Sequence, residues 1–191
     1  MRQCVILAGG TGSRLTSQGV TTPKILIDFY GRKLIEFILE ELEYEGYTDL
    51  LLCLGYQAEY IKKEINKIST NINITFFIES RQSGTLGALV QAFNLLESNF
   101  TLLMGDCFVL NTNLAAHHDF ACYSDADAIL LCKYTDHPQD SDIVEIDEWS
   151  TVVKISKPPH KENIAFPQIG MAGVYFLKKD IHFVKQKQVY I

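Results

Sequence analysis

Short, continuous apolar runs alternate with longer amphipathic stretches along this chain. Cys4–Ala8 within the strand Gln3–Ala8 and Leu50–Leu54 are apolar at every position, and Phe100–Met104 at all but Thr101, the pattern of strands covered on both faces. Leu34–Tyr44 instead places Leu34, Ile35, Ile38, Leu39 and Leu42 at helical spacing, with Gly46 as a stop. Ala58–Ile68 repeats that spacing with Ile61, Ile65 and Ile68. Ile72–Ile78 is rich in strand formers, Thr85–Leu96 and Leu114–Tyr123 read as helices, and Ala128–Tyr134 reads as a further strand. This βαβα rhythm predicts an α/β fold of three layers, a mainly parallel twisted sheet with helices on both faces. After Tyr134 the rhythm changes. Asp136–Asp142 is acidic and turn-rich, Ile143–Ile146 and Val152–Ile155 flank a hairpin-like turn, and Val174–Leu177 is the last clear strand. No repeat or linker interrupts the chain, so a single domain over 1–191 is expected.

Composition narrows the partners. The 191 residues carry a net charge of −6 and no basic cluster, which argues against a DNA or RNA ligand. No apolar segment approaches the roughly 20 residues that span a bilayer, so no membrane partner is expected. Met1-Arg2-Gln3 runs straight into the first strand, without a signal-peptide pattern. Five scattered cysteines, with no C-x-x-C pair, fit a reducing, cytoplasmic setting. Cys4, Cys53 and Cys132 read as small core residues, and His117-His118, without a metal-ligand spacing, as surface or core. Oligomeric state stays open, a homo-oligomer included.

The chemistry concentrates after the first strand. Gly9-Gly10-Thr11-Gly12-Ser13-Arg14-Leu15 follows it directly, and Thr22-Pro23-Lys24 comes soon after. Glycines let the backbone approach a ligand and offer several N–H groups to an anion. Arg14 and Lys24 add the cations a phosphate needs. The Walker A pattern fails, because Ser13 and Arg14 follow Gly12. The dinucleotide fingerprint is partial, with Leu15 at its third glycine, and a dinucleotide-dependent oxidoreductase rests on that fragment alone. Both the loop and Asp106 fall at the carboxyl ends of predicted parallel strands, where ligands bind in such sheets.

Leu7–Leu15 with Pro23-Lys24 resembles the signature of sugar-1-phosphate nucleotidyltransferases, most like those that guanylylate heptose or mannose 1-phosphate. Further segments agree in order: Glu79–Ala88 with Gly84-Thr85, Gly105-Asp106, Lys157-Pro158 and Gly173-Val174-Tyr175. The resemblance implies a Rossmann-like nucleotidyltransferase fold. It implies that a nucleoside triphosphate (GTP) and a sugar 1-phosphate react to give an NDP-sugar and pyrophosphate, with Mg²⁺ as cofactor. Arg14 would grip the triphosphate, Lys24 the α-phosphate, and Asp106 the metal. Leu7, Ala8, Gly9, Gly10, Gly12, Gln82, Gly84 and Thr85 would bind the nucleotide, and Lys157 and Gly173 the sugar phosphate. The chain departs from the family at Ser156, where Glu is usual, and at Arg32-Lys33, Ser83 and Met171. The family's second metal-binding Asp is not matched before Ile191, so the expectation is a domain lacking its C-terminal part. The alternative is a catalytically weak or inactive nucleotide-binding or regulatory domain.

Overall fold

The computed structural model describes residues 2–10, 12, 19, 21–81, 84–160 and 168–181. They fall into two compact units, one reaching to Ile129 and including Tyr175–Ile181, the other Leu130–Val174.

The first unit is built on strand β1, Gln3–Ala8, whose residues are buried one after another up to Leu7. Unbroken burial requires cover on both faces. β1 pairs in parallel with β4 (Asp49–Leu54) on one side and β6 (Phe100–Met104) on the other, with Ala8 opposite Leu54 and Leu7 opposite Met104. β5 (Asn73–Ile78) extends the sheet beyond β4, also in parallel. Four helices accompany these strands: α1 (Leu34–Tyr44), α2 (Ala58–Ile65), α3 (Gly84–Ala92) and α4 (Leu114–Tyr123). The strand order β5-β4-β1-β6 means that the chain first moves outward from β1, then returns past it after β5. Right-handed crossovers therefore put α1 and α2 on one face and α3 on the other. The sheet reverses direction of growth between β1 and β6, the kind of switch point where α/β sheets bind ligands. Ile6, Leu51, Leu52 and Phe100 are among its fully buried side chains, each contributing about 1.5–3 kcal/mol.

Between β1 and α1 lies a small hairpin, β2 (Asp28–Phe29) and β3 (Arg32–Lys33). Tyr30 and Gly31 turn it with φ of 56° and 85°, both in the left-handed region that a type I′ turn demands. Asp28 Oδ1 accepts from the Gly31 amide at 2.8 Å.

In the second unit β8 (Ile143–Ile146) and β9 (Val152–Ser156) form the expected antiparallel hairpin. Gly170 of β10 (Gln168–Leu177) lies opposite Ile143, and β10 also pairs with β7 (Ala128–Thr135). The sheet is thus mixed and mostly parallel, with helices, as the sequence rhythm predicts.

Three boundaries differ from expectation. α2 stops at Ile65, and Ile68 continues its stripe only through a tighter turn, its amide donating to the Ile65 carbonyl at 2.9 Å. The expected helix over Thr85–Leu96 begins at Gly84 and finishes as a 3₁₀ turn at Phe93–Leu95. β10 begins at Gln168, well before Val174, because Gly170 and Gly173 break the alternation that marks a strand; Gly173 has φ of 76° within it. Among the described residues no helix is long and apolar enough to cross a membrane.

Candidate active site

The site forms where three parallel strands end in glycine. Gly9 follows β1, Gly55 follows β4 and Gly105 follows β6. A Cβ on Gly55 would stand 2.7 Å from the Gly9 carbonyl oxygen, and one on Gly105 would stand 2.8 Å from that of Leu7. The Gly105 amide uses that closeness, donating to the Leu7 carbonyl at 2.9 Å. β5 ends differently. Its next residue is Glu79, whose amide donates to the Leu54 carbonyl at 2.9 Å, and whose carboxylate lies where a side chain on Gly9 would have to go.

These strand ends enclose a cavity of about 370 Å³. Leu7, Ala8, Gly9, Gly10, Gly12 and Gly105 line it from the sheet, and Glu79, Gly84, Thr85 and Ala88 from β5 and α3. Gly12 has φ of 61°, a backbone state that suits glycine. Lys24 and Asp106 bring charge to the lining, and Pro23, Ile25 and Met104 complete it. Lys24 opens a 3₁₀ turn, Lys24–Leu26, anchored by buried Ile25 and Leu26. Its Nζ donates to Asp106 Oδ2 at 2.6 Å, with the two side chains 42% and 46% exposed.

Asp106 sits in a turn closed by the Cys107 amide donating to the Met104 carbonyl at 3.0 Å. It caps no helix; α4 begins from Asn113. The loop after it is fastened to α1. Phe108 meets Phe29 and Phe37, with ring centroids 5.7 and 5.4 Å away. Glu41 Oε1 accepts from the Asn111 amide at 2.7 Å. The two Glu45 oxygens accept from the Leu114 and Ala115 amides, each at 3.1 Å, so α4 takes its cap from the residue that follows α1.

The Cys53 thiol in β4 is inert. Burial, with the Glu79 charge adding to it, pushes Cys53 up to about 12. His118 is a core residue, its Nδ1 3.1 Å from Thr101 Oγ1, which lies 2.6 Å from the Tyr47 hydroxyl. Burial holds its pKa below the usual histidine value. His117 stacks on Phe176, and all five cysteines are free. Cys4 and Cys53 are buried as expected, whereas Cys132 is only partly so.

The structure thus gathers Leu7, Ala8, Gly9, Gly10, Gly12, Lys24, Gly84, Thr85 and Asp106 around one cavity. Arg14 and Gln82 lie outside the described residues. Lys157 is exposed just after β9, and Gly173 lies within β10, both in the second unit. Glu79, which opens the Glu79–Ala88 segment of the resemblance, lines the same cavity, although the sequence assigns it no role by itself. Its signal is positional: it follows an apolar strand as Gly9, Gly55 and Gly105 follow theirs.

A mostly parallel sheet with a glycine-lined pocket, bearing Lys24, at its switch point is the arrangement in which α/β proteins bind ligands. Residues 3–190 match the nucleotidyl transferase family, and the chain belongs to it. The crystal structure of HddC from Yersinia pseudotuberculosis superposes with a TM-score of 0.77 at 30% identity, covering 94% of this chain and 77% of that one. HddC complexed with GMP-PN gives a TM-score of 0.75. The D-glycero-alpha-D-manno-heptose 1-phosphate guanylyltransferase of Campylobacter jejuni is 28% identical over 183 residues, 94% of this chain and 77% of that protein. The mannose-1-phosphate guanyltransferase of Schizosaccharomyces pombe is 33% identical over 121 residues, 62% of this chain. The chain spans only 32% of that protein's length.

Proposed function

We propose that this chain guanylylates a sugar 1-phosphate of the heptose or mannose kind, using GTP and releasing pyrophosphate. The observation that carries it is the cavity that joins a glycine loop, the Lys24–Asp106 pair and the Glu79 carboxylate. Guanine presents two adjacent N–H donors on its Watson–Crick edge, and an ionised carboxylate is an acceptor-only group that takes both. Uracil, thymine, cytosine and adenine each offer a single donor flanked by an acceptor, a poorer match. The named activities of the Campylobacter and fission-yeast relatives point to the same base.

In the reaction a sugar-phosphate oxygen attacks the α-phosphorus, the bond to the β-phosphate oxygen breaks, and pyrophosphate departs. Such a transfer needs alignment and charge stabilisation rather than a covalent intermediate. Lys24 neutralises charge gathering on the α-phosphate. Gly9, Gly10 and Gly12 let the backbone lie against the phosphate chain. Arg14 is proposed to grip the leaving pyrophosphate, and Lys157 and Gly173 to receive the sugar phosphate. Ser156, in place of the family's Glu, removes a carboxylate that could accept from sugar hydroxyls.

The residues present fit Mg²⁺. Asp106 offers a hard oxygen on the cavity wall, and this ion is commonly held by one or two carboxylates plus phosphate oxygens. Bound there, it would supply charge neutralisation to the phosphates.

The test pairs each nucleoside triphosphate with a panel of sugar 1-phosphates and measures pyrophosphate. GTP with a heptose or mannose 1-phosphate should turn over at least about tenfold faster than other pairs, the scale on which one pocket contact discriminates. No pyrophosphate from any pair would overturn the reading.

A further inference from the structure

We propose that Lys24 makes divalent-cation binding at this site conditional on nucleotide. The inference rests on the function proposed above and concerns how the same site is loaded. Lys24 Nζ stands 2.6 Å from Asp106 Oδ2, a close charge-assisted contact. A cation approaching that carboxylate meets a positive charge already on it. The protein offers little to compensate, because among the described residues no group of three or more His, Cys, Asp or Glu side chains could hold a metal. One neutralised carboxylate is a weak ligand for a hard ion that wants six or more oxygens.

A triphosphate changes both sides of that balance. Its oxygens give the Lys24 ammonium a new partner, and they supply the remaining ligands of the cation. Lys24 then moves from carboxylate to phosphate, and Asp106 becomes available. The two side chains are both about half exposed and line one cavity, so the exchange needs no rearrangement of the core. Nucleotide and cation therefore each raise the other's affinity by the same factor. Lys24 gains a second task beside its place at the α-phosphate: it keeps the empty site from collecting cations.

The experiment is a Mn²⁺ titration of the full chain without nucleotide, followed by electron paramagnetic resonance. Lys24→Met and Lys24→Gln should each bind Mn²⁺ at least about fivefold more tightly than the native chain, the lower end of ordinary coupling. Adding Asp106→Asn to either should erase the gain. Thermal melts select whichever variant is folded. Mn²⁺ affinity unchanged or weaker in the folded variant overturns the proposal, as does a gain that survives Asp106→Asn. Because no nucleotide is present, this result is independent of whether the chain releases pyrophosphate.

Discussion

Phe108 packs edge-on against Phe29 with ring centroids 5.7 Å apart, tying the loop that carries Asp106 to the segment that carries Lys24. Phe37 of α1 holds the same ring from a second direction. The ion pair at the cavity is therefore backed by an aromatic contact between the same two stretches of chain. Phe108→Ala should lower the rate of pyrophosphate release by about tenfold to a hundredfold, the cost of a roughly 1 Å misplacement. The ring is 50% exposed, so the stability loss should stay near 1.5–2.5 kcal/mol, about half that of a buried Phe→Ala change. A stopped assay and a denaturant titration measure the two. Unchanged turnover would show that the contact holds nothing the reaction uses.

The glycines flanking β1 should be intolerant of a methyl group in proportion to their crowding. Gly55→Ala and Gly105→Ala each force a Cβ against backbone oxygen, and should destabilise by about 1–3 kcal/mol. Gly10→Ala meets nothing within 4 Å and should leave the melting temperature nearly unchanged. Equal behaviour of the three would contradict the close approach at the strand ends.

Glu45→Ala should loosen α4. It leaves the Leu114 and Ala115 amides without their carboxylate, at a cost of about 1 kcal/mol, typical of a lost cap. Hydrogen exchange at those two amides should accelerate, while exchange in β1 stays slow.

His118 gives the fold an acid-side weakness. Burial depresses its folded-state pKa below the ordinary 6.5. Between those two values the unfolded chain binds the extra proton, so stability is full above about pH 6.5 and declines as pH falls towards the folded value. Melting temperature should drop over that interval, and His118→Gln should flatten the drop. The lowered carboxylates, Glu64 at about 2 and Asp119 beside Arg2, act only at more acid pH.

Much of the first unit is legible because its strands are buried on both faces, so β1 and β6 begin and end where apolar runs begin and end. Gly9, Gly10 and Asp106 are legible because they stand just beyond those runs, whereas Lys24 is legible through the resemblance carried by Pro23-Lys24. Glu79 is legible only as the first residue of the Glu79–Ala88 segment; its place against Gly9 comes from β5 lying beside β4, a pairing that no local pattern carries. The Tyr30-Gly31 hairpin hides because tyrosine is an unusual residue at positive φ, and the α4 cap hides because its carboxylate is distant in sequence.

A crystal structure with a non-hydrolysable GTP analogue and Mg²⁺ tests the central claim most directly. The guanine edge should lie against the Glu79 carboxylate, the phosphates along Gly9–Gly12, and Lys24 on phosphate oxygen rather than on Asp106. An analogue bound elsewhere, or one that leaves Glu79 untouched and the Lys24–Asp106 pair closed, would contradict it.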